Sequence, residues 1–178
     1  KQLTAKIAVN KDILRDYTFV LAKFDSIRAK ALLAVSLNAN MPILVKEELL
    51  DLKEAVHPIL FLHNKALKKP THPINISITK TKHIVLISGP NAGGKSITLK
   101  TIGLLQMMIQ FGLLIPCDEN SKIRVFKQIF TDLGDNQSIE DELSTYSSRL
   151  NRMKHFMANA DRNTLYLIDE FGTGTDPR

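Results

Sequence analysis

The sequence predicts an α/β fold, a mostly parallel sheet flanked by helices and preceded by one long helix. Three observations carry that expectation. Strand-like and helix-like segments alternate after residue 40; a glycine-rich loop, Gly89 to Ser96, lies between an apolar run and a helical stretch; and a second apolar run ends in Asp169 and Glu170. With 178 residues, 44% of them hydrophobic, the chain can bury the core of one ordinary domain, with or without an appended element.

The long helix comes first. Residues 12–37 contain no Gly or Pro, and Ile13, Tyr17, Val20, Phe24, Ile27, Ala31 and Val35 recur at steps of three and four, the helical spacing. So narrow a seam, among Arg15, Asp16, Lys23, Asp25, Arg28 and Lys30, suits either a second helix packed in coiled-coil fashion or a surface helix lying on the domain core. No partner helix is evident in the sequence, as expected if the chain begins partway through a longer arm. Asn38, Asn40 and Pro42 break the pattern, which sets a boundary near residue 40 and divides the chain into 1–40 and 41–178.

Shorter elements follow. Residues 74–79 alternate as a half-buried strand does, and Thr81-Lys82 turns the chain into a continuously apolar strand over 84–87. After the glycine loop, residues 96–111 read as a helix ended by Gly112. Strands are expected over 123–126, 129–133 and 165–168, and a helix over 146–160.

Composition bounds the function classes. No run approaches the ~18 apolar residues that a membrane span needs, and the first ten residues lack a long apolar stretch with a cleavage site, so a soluble protein is expected. The single cysteine, Cys117, has no partner for an internal disulfide or a zinc site, which fits a reducing cytoplasm. Lys and Arg exceed Asp and Glu by 24 to 18, so an anionic partner such as nucleic acid is electrostatically favoured. The basic residues fall in small scattered groups, however, which reads as solvated surface.

Gly89-Pro90-Asn91-Ala92-Gly93-Gly94-Lys95-Ser96 satisfies G-x-x-x-x-G-K-[ST] in full, in the strand-loop-helix context that motif requires. Small residues let consecutive backbone N–H groups point inward at phosphate oxygens, and the following helix offers its positive end to the same anion. Lys95 is expected to neutralise the β- and γ-phosphates and the Ser96 hydroxyl to ligate Mg²⁺. The second motif supplies acids: a buried strand delivers Asp169 to the metal shell, and Glu170 is placed to polarise a water for in-line attack on the γ-phosphate. Ser144 and Thr145 precede the 146–160 helix, where either a plain helix cap or a phosphate contact suits them.

Taken together, these residues resemble the MutS family of DNA-repair ATPases. The resemblance is carried by Ile87 to Ser96 followed by Thr98-Leu99-Lys100-Thr101-Ile102-Gly103-Leu104. It continues in Gly134-Asp135-Asn136-Gln137-Ser138-Ile139-Glu140, Leu143-Ser144-Thr145-Tyr146-Ser147 and Asp169 to Pro177. The Asn and paired Gly inside the loop point to the branch often called MutS-two. Ala55-Val56-His57-Pro58-Ile59-Leu60 is similar to the family's segment ahead of the ATPase, and the helix around residues 21–34 is similar to its lever arm.

The resemblance implies an ABC-like P-loop ATPase working as a homodimer, with ATP and Mg²⁺ held between subunits and Ser144 and Thr145 contacting the nucleotide of the opposite subunit. It also implies a DNA partner, engaged mainly through regions outside this chain. The strands, sensor histidine and dimerising helices expected after Pro177 are missing, so the chain is expected to be an incomplete ATPase with weak nucleotide binding and little turnover. His155 precedes Asp169 and cannot stand for that sensor. Ser96 and Ala92 replace residues that are often Thr in the family, and the change at Ser96 keeps the metal-ligating hydroxyl. Phe61 and His57 are considered for base stacking, with a core role favoured for each.

Rival classes are a nucleotide-gated assembly protein, which Glu170 argues against, and a small-molecule kinase, for which an Arg-rich lid is lacking. A GTPase would need an Asn-Lys-x-Asp element, and Asn64-Lys65-Ala66-Leu67 lacks the acid.

Overall fold

The computed structural model describes residues 2–47, 50–89, 94–133 and 142–169. In chain order these form α1 (Gln2–Ala8), α2 (Lys11–Leu37), β1 (Ile43–Leu44), β2 (Leu50–Ala55), α3 (Pro58–Ala66) and β3 (Ile74–Ile78). Then come α4 (Lys95–Gln110), β4 (Lys122–Ile123), β5 (Gln128–Asp132), α5 (Glu142–Asn159) and β6 (Thr164–Ile168).

Helix α2 ends where the sequence breaks. Asn38 takes the left-handed conformation (φ 51°, ψ 44°) and its N–H turns back to the last-turn carbonyls, while the Ala39 N–H reaches the Ala34 carbonyl at 2.9 Å. Asn40 then exchanges both backbone hydrogen bonds with Ile115, at 2.8 and 3.2 Å, and its side-chain amide donates to the Cys117 carbonyl. The side of α2 that meets the domain is confined to its carboxyl end, where Ala34 and Leu37 are buried and Leu33 packs on the core. Lys30 Nζ donates to the Phe111 carbonyl at 3.0 Å, and Lys65 Nζ to the Ser36 carbonyl at 3.0 Å, tying that end to the carboxyl ends of α4 and α3. The apolar seam points elsewhere: Tyr17 is 61% exposed and Phe24 70%. A surface helix laid lengthwise on the core is therefore ruled out for α2, because the side chains that touch the core are not those of the seam.

Strands β1, β4, β2 and β3 lie side by side in that order. β1 and β4 are parallel, but β2 runs antiparallel to both β4 and β3. The mostly parallel sheet is thus corrected to a mixed sheet plus a separate parallel pair, β5 with β6, joined through α5. The physical reason is β2. Burial alternates over Leu50 to Lys53, the half-covered pattern of an antiparallel strand, before an irregularity ahead of Ala55, and Asp51, Lys53 and Glu54 hide the strand among charges in the sequence.

Two further strands differ from expectation. Residues 84–87 are not a strand among the described residues; Ile84 is 82% exposed and Leu86 90%. Residues 123–126 give a strand of only two residues, Lys122–Ile123, because α4 takes over the next backbone groups. Gln106 Nε2 donates to the Arg124 carbonyl at 2.9 Å, and Gln110 Oε1 accepts from the Phe126 N–H at 3.2 Å.

The core surrounds α4. Ile102, Leu105, Met108 and Ile109 meet Leu37, Leu50, Leu52, Ile115, Ile123, Leu165 and Leu167. On the other face of the parallel pair α5 closes the layer: Phe130 and Phe156 stack with centroids 4.7 Å apart, and the Tyr166 hydroxyl donates to the Phe156 carbonyl at 2.9 Å. Helix, sheet, helix is the layering that an α/β unit needs to bury both faces of parallel strands.

Candidate functional site

The glycine loop is described at its two ends, Gly89 and Gly94 to Ser96, and its middle, Pro90 to Gly93, lies outside the described residues. Gly94 caps α4 from the left-handed region (φ 80°), a conformation that side chains strain to reach, and its carbonyl accepts from both the N–H and the hydroxyl of Thr98 at 2.9 Å. Lys95, the first residue of α4, folds its ammonium back onto the Gly89 carbonyl at 2.7 Å. The two ends of the loop are thereby joined across it by a cation. Ser96 follows in the first helical turn, half-buried.

Asp169 stands one residue beyond β6. Its N–H donates to the Asp132 carbonyl at 2.9 Å, which continues the β5–β6 ladder and fixes the backbone from which its carboxylate projects. Leu165 and Leu167, buried on one face of β6, pack toward α4. That approach depends on Gly103, where an added Cβ would stand 2.7 Å from Leu167 Cδ1. The helix that starts with Lys95 and the strand that ends before Asp169 are thus seated on one another.

Glu170 lies outside the described residues, as do residues 134–141 and 171–178. Ser144 and Thr145 fall inside the first turn of α5, which begins at Glu142, rather than ahead of the helix as expected. His57 and Phe61 have structural duties. His57 Nδ1 accepts from the Leu60 N–H at 3.3 Å as the cap of α3, with Pro58 at the first helical position, and Phe61 packs on the core with Lys65 Nζ over its ring. Burial, and after it the charge of Lys100 on α4, hold the His57 pKa below its ordinary value.

Sequence reasoning missed Asp132. It is 4% exposed at the end of β5, beside the backbone of Asp169, and Arg152 of α5 pairs with it at 3.1 Å. The available signal was a lone acid within the apolar run of residues 129–133, since a carboxylate is rarely buried without a partner. Among the described residues no three His, Cys, Asp or Glu side chains converge, and no helix is long and apolar enough to cross a membrane.

Residues 85–177 match the family model of MutS domain V. Over 99% of its length the chain is 42% identical to the protein named Endonuclease MutS2 of Finegoldia magna. It is 46% identical over 88% to the protein of that name from Lactobacillus helveticus, and 44% over 99% to that from Bacillus mycoides. It spans 22%, 19% and 22% of those relatives, about a fifth of their length. A lysine-bearing glycine loop leading into a helix, with that helix seated on a strand that ends in an acid, defines a P-loop α/β domain. The chain belongs to the MutS family, in its MutS2 branch.

Proposed function

We propose that this chain is the ATP-binding and ATP-hydrolysing part of a MutS-type DNA-binding protein that acts in DNA repair or the control of recombination. One observation carries the reading: Lys95 closes the loop onto Gly89 at 2.7 Å at the head of the helix that seats β6. An ammonium that bonds the Gly89 carbonyl can exchange that neutral acceptor for a β- or γ-phosphate oxygen, a stronger, charge-assisted bond. Gly89 to Ser96 form the phosphate cradle. Ser96 and Asp169 supply hard oxygen donors of the kind that suits the Mg²⁺ arriving with the triphosphate, and Glu170 is the general base for water.

In this reading residues 1–40 are the end of a helical lever segment and 41–178 the amino-terminal part of an ABC-type ATPase domain. The whole protein is a cytoplasmic homodimer in which Ser144 and Thr145, at the amino end of α5, reach the nucleotide of the partner subunit. Free N–H groups at a helix start favour that anion contact.

The test is calorimetric titration of Mg-ATP and Mg-GTP into this chain and into Lys95→Ala. Saturable ATP binding that vanishes in the variant is the expected result; ATP binding that survives it would remove the phosphate cradle from the proposal.

A further inference from the structure

One face of the β5–β6 pair meets α5, and the two periods match. Phe130 and Asp132 alternate with Thr131 on β5 and so share a face, while Arg152 and Phe156 lie one turn apart on α5 and so share a side. Phe130 stacks on Phe156 with centroids 4.7 Å apart, and the Asp132 carboxylate meets the Arg152 guanidinium at 3.1 Å. From the neighbouring strand, the Tyr166 hydroxyl donates to the Phe156 carbonyl. Helix α5 is therefore held by rings and one hydrogen bond at the middle of the strands, and by an ion pair at their ends.

Stability alone does not account for an ion pair there. The Asp132 side chain is 4% exposed and that of Arg152 48%, so the carboxylate gives up its water to face a partner that keeps much of its own. Replacing such a pair by apolar side chains of similar volume is often neutral or stabilising. What the pair adds is direction, because apolar contact is non-directional whereas a guanidinium on a carboxylate has a preferred geometry. The other polar end of Asp132 is engaged as well. Its carbonyl accepts from the Asp169 N–H at 2.9 Å, just past the rung where Asp132 stands opposite Ile168. One residue thus joins α5, through its side chain, to the backbone of Asp169, through its carbonyl.

We infer that Asp132, held by Arg152, is a positioning residue for Asp169, so that the place of α5 sets the place of the metal acid. That Asp169 serves a metal rests on the reading given above. Ser144 and Thr145 lie on the same helix, about two turns nearer its start than Arg152. An anion bound at that end and a metal bound at Asp169 therefore bias one another.

Hydrogen exchange on this chain without nucleotide tests the positioning, and the variant that separates it from stability is Asp132→Leu/Arg152→Met. Its urea midpoint is expected to equal or exceed that of the unmutated chain, while the Asp169 amide exchanges on the order of tenfold faster relative to that of Leu105 in α4. Calorimetry gives a second reading, the ratio of ATP affinity with Mg²⁺ to that in EDTA. The ratio is expected to fall on the order of tenfold, as when a partner that orients a metal ligand is lost, with the affinity in EDTA unchanged. Should the double variant not fold, Arg152→Gln is expected to show both changes and Arg152→Lys, which keeps the charge, neither. An Asp169 amide no faster than before, or an unchanged ratio, overturns the inference and leaves the phosphate loop standing. Should the unmutated chain not bind ATP at all, the nucleotide reading fails by itself and the Asp169 amide decides. Faster exchange then supports the positioning, and unchanged exchange overturns it.

Discussion

Gly103 is the residue on which the seating of α4 depends, since its missing Cβ is the space that Leu167 Cδ1 fills. Gly103→Val is expected to destabilise the fold by about 1–3 kcal/mol in urea denaturation, the usual cost of overpacking. Leu167→Ala in the same chain should cost less in that variant than alone, because it restores the room; independent costs would mean the two side chains do not compete. His57 makes a pH prediction. Burial first and Lys100 second lower its pKa from 6.5, so the unfolded chain takes up the proton more readily. Its contribution to stability is complete above 6.5 and is lost as pH falls through the lower folded value. His57→Asn keeps a side-chain cap and should flatten that decline. Lys100→Met should raise the His57 pKa in an NMR titration, and no rise would remove Lys100 as a cause.

At the scale of elements, periodicity was legible where a segment is covered on one side only. The limits of α2 and α4 agree with the sequence to within a residue or two, because their ends carry the signals that stop a helix, Asn38 and Gly112. The end of α2 is testable: Asn38→Val should cost about 1–2 kcal/mol, since a β-branched residue resists the left-handed conformation, whereas Asn38→Gly should cost nothing measurable. Equal effects would mean that the conformation at residue 38 is not what the amide side chain serves. What was not legible is β2, where three charged residues surround Leu50 and Leu52 and a register shift between Leu52 and Ala55 puts the last buried residue out of phase. Nor does an apolar run announce its neighbours: residues 84–87 and 165–168 look alike as sequence, but one pairs with β5 and the other does not. The candidate site was read from motifs alone, and Asp132 escaped because a single acid forms no motif.

Across the whole molecule, stability should be unevenly distributed along α2. Leu37 is 1% exposed and belongs to the core, whereas Phe24, on the amino-terminal side of Lys30 and the other fastened residues, is 70% exposed. Leu37→Ala should therefore cost about 2–5 kcal/mol. Phe24→Ala should stay within about 0.5 kcal/mol, the range for surface positions. A large loss from Phe24→Ala would show that the seam is covered in solution. The charge excess of +6 adds nothing to this accounting, since it bears on partners and solubility rather than on the fold.

The notch at Gly103 also limits how α4 can move. A helix turns about 100° from one residue to the next, so rolling α4 about its axis would carry Ile102 or Leu104 into the space that Leu167 occupies. That contact opposes rolling, and the far end of the helix is pinned as well, where Lys30 donates to the Phe111 carbonyl. A change at the head of α4 is therefore met at two fixed points, one at mid-helix and one at its tail, rather than absorbed by a turn of the whole rod.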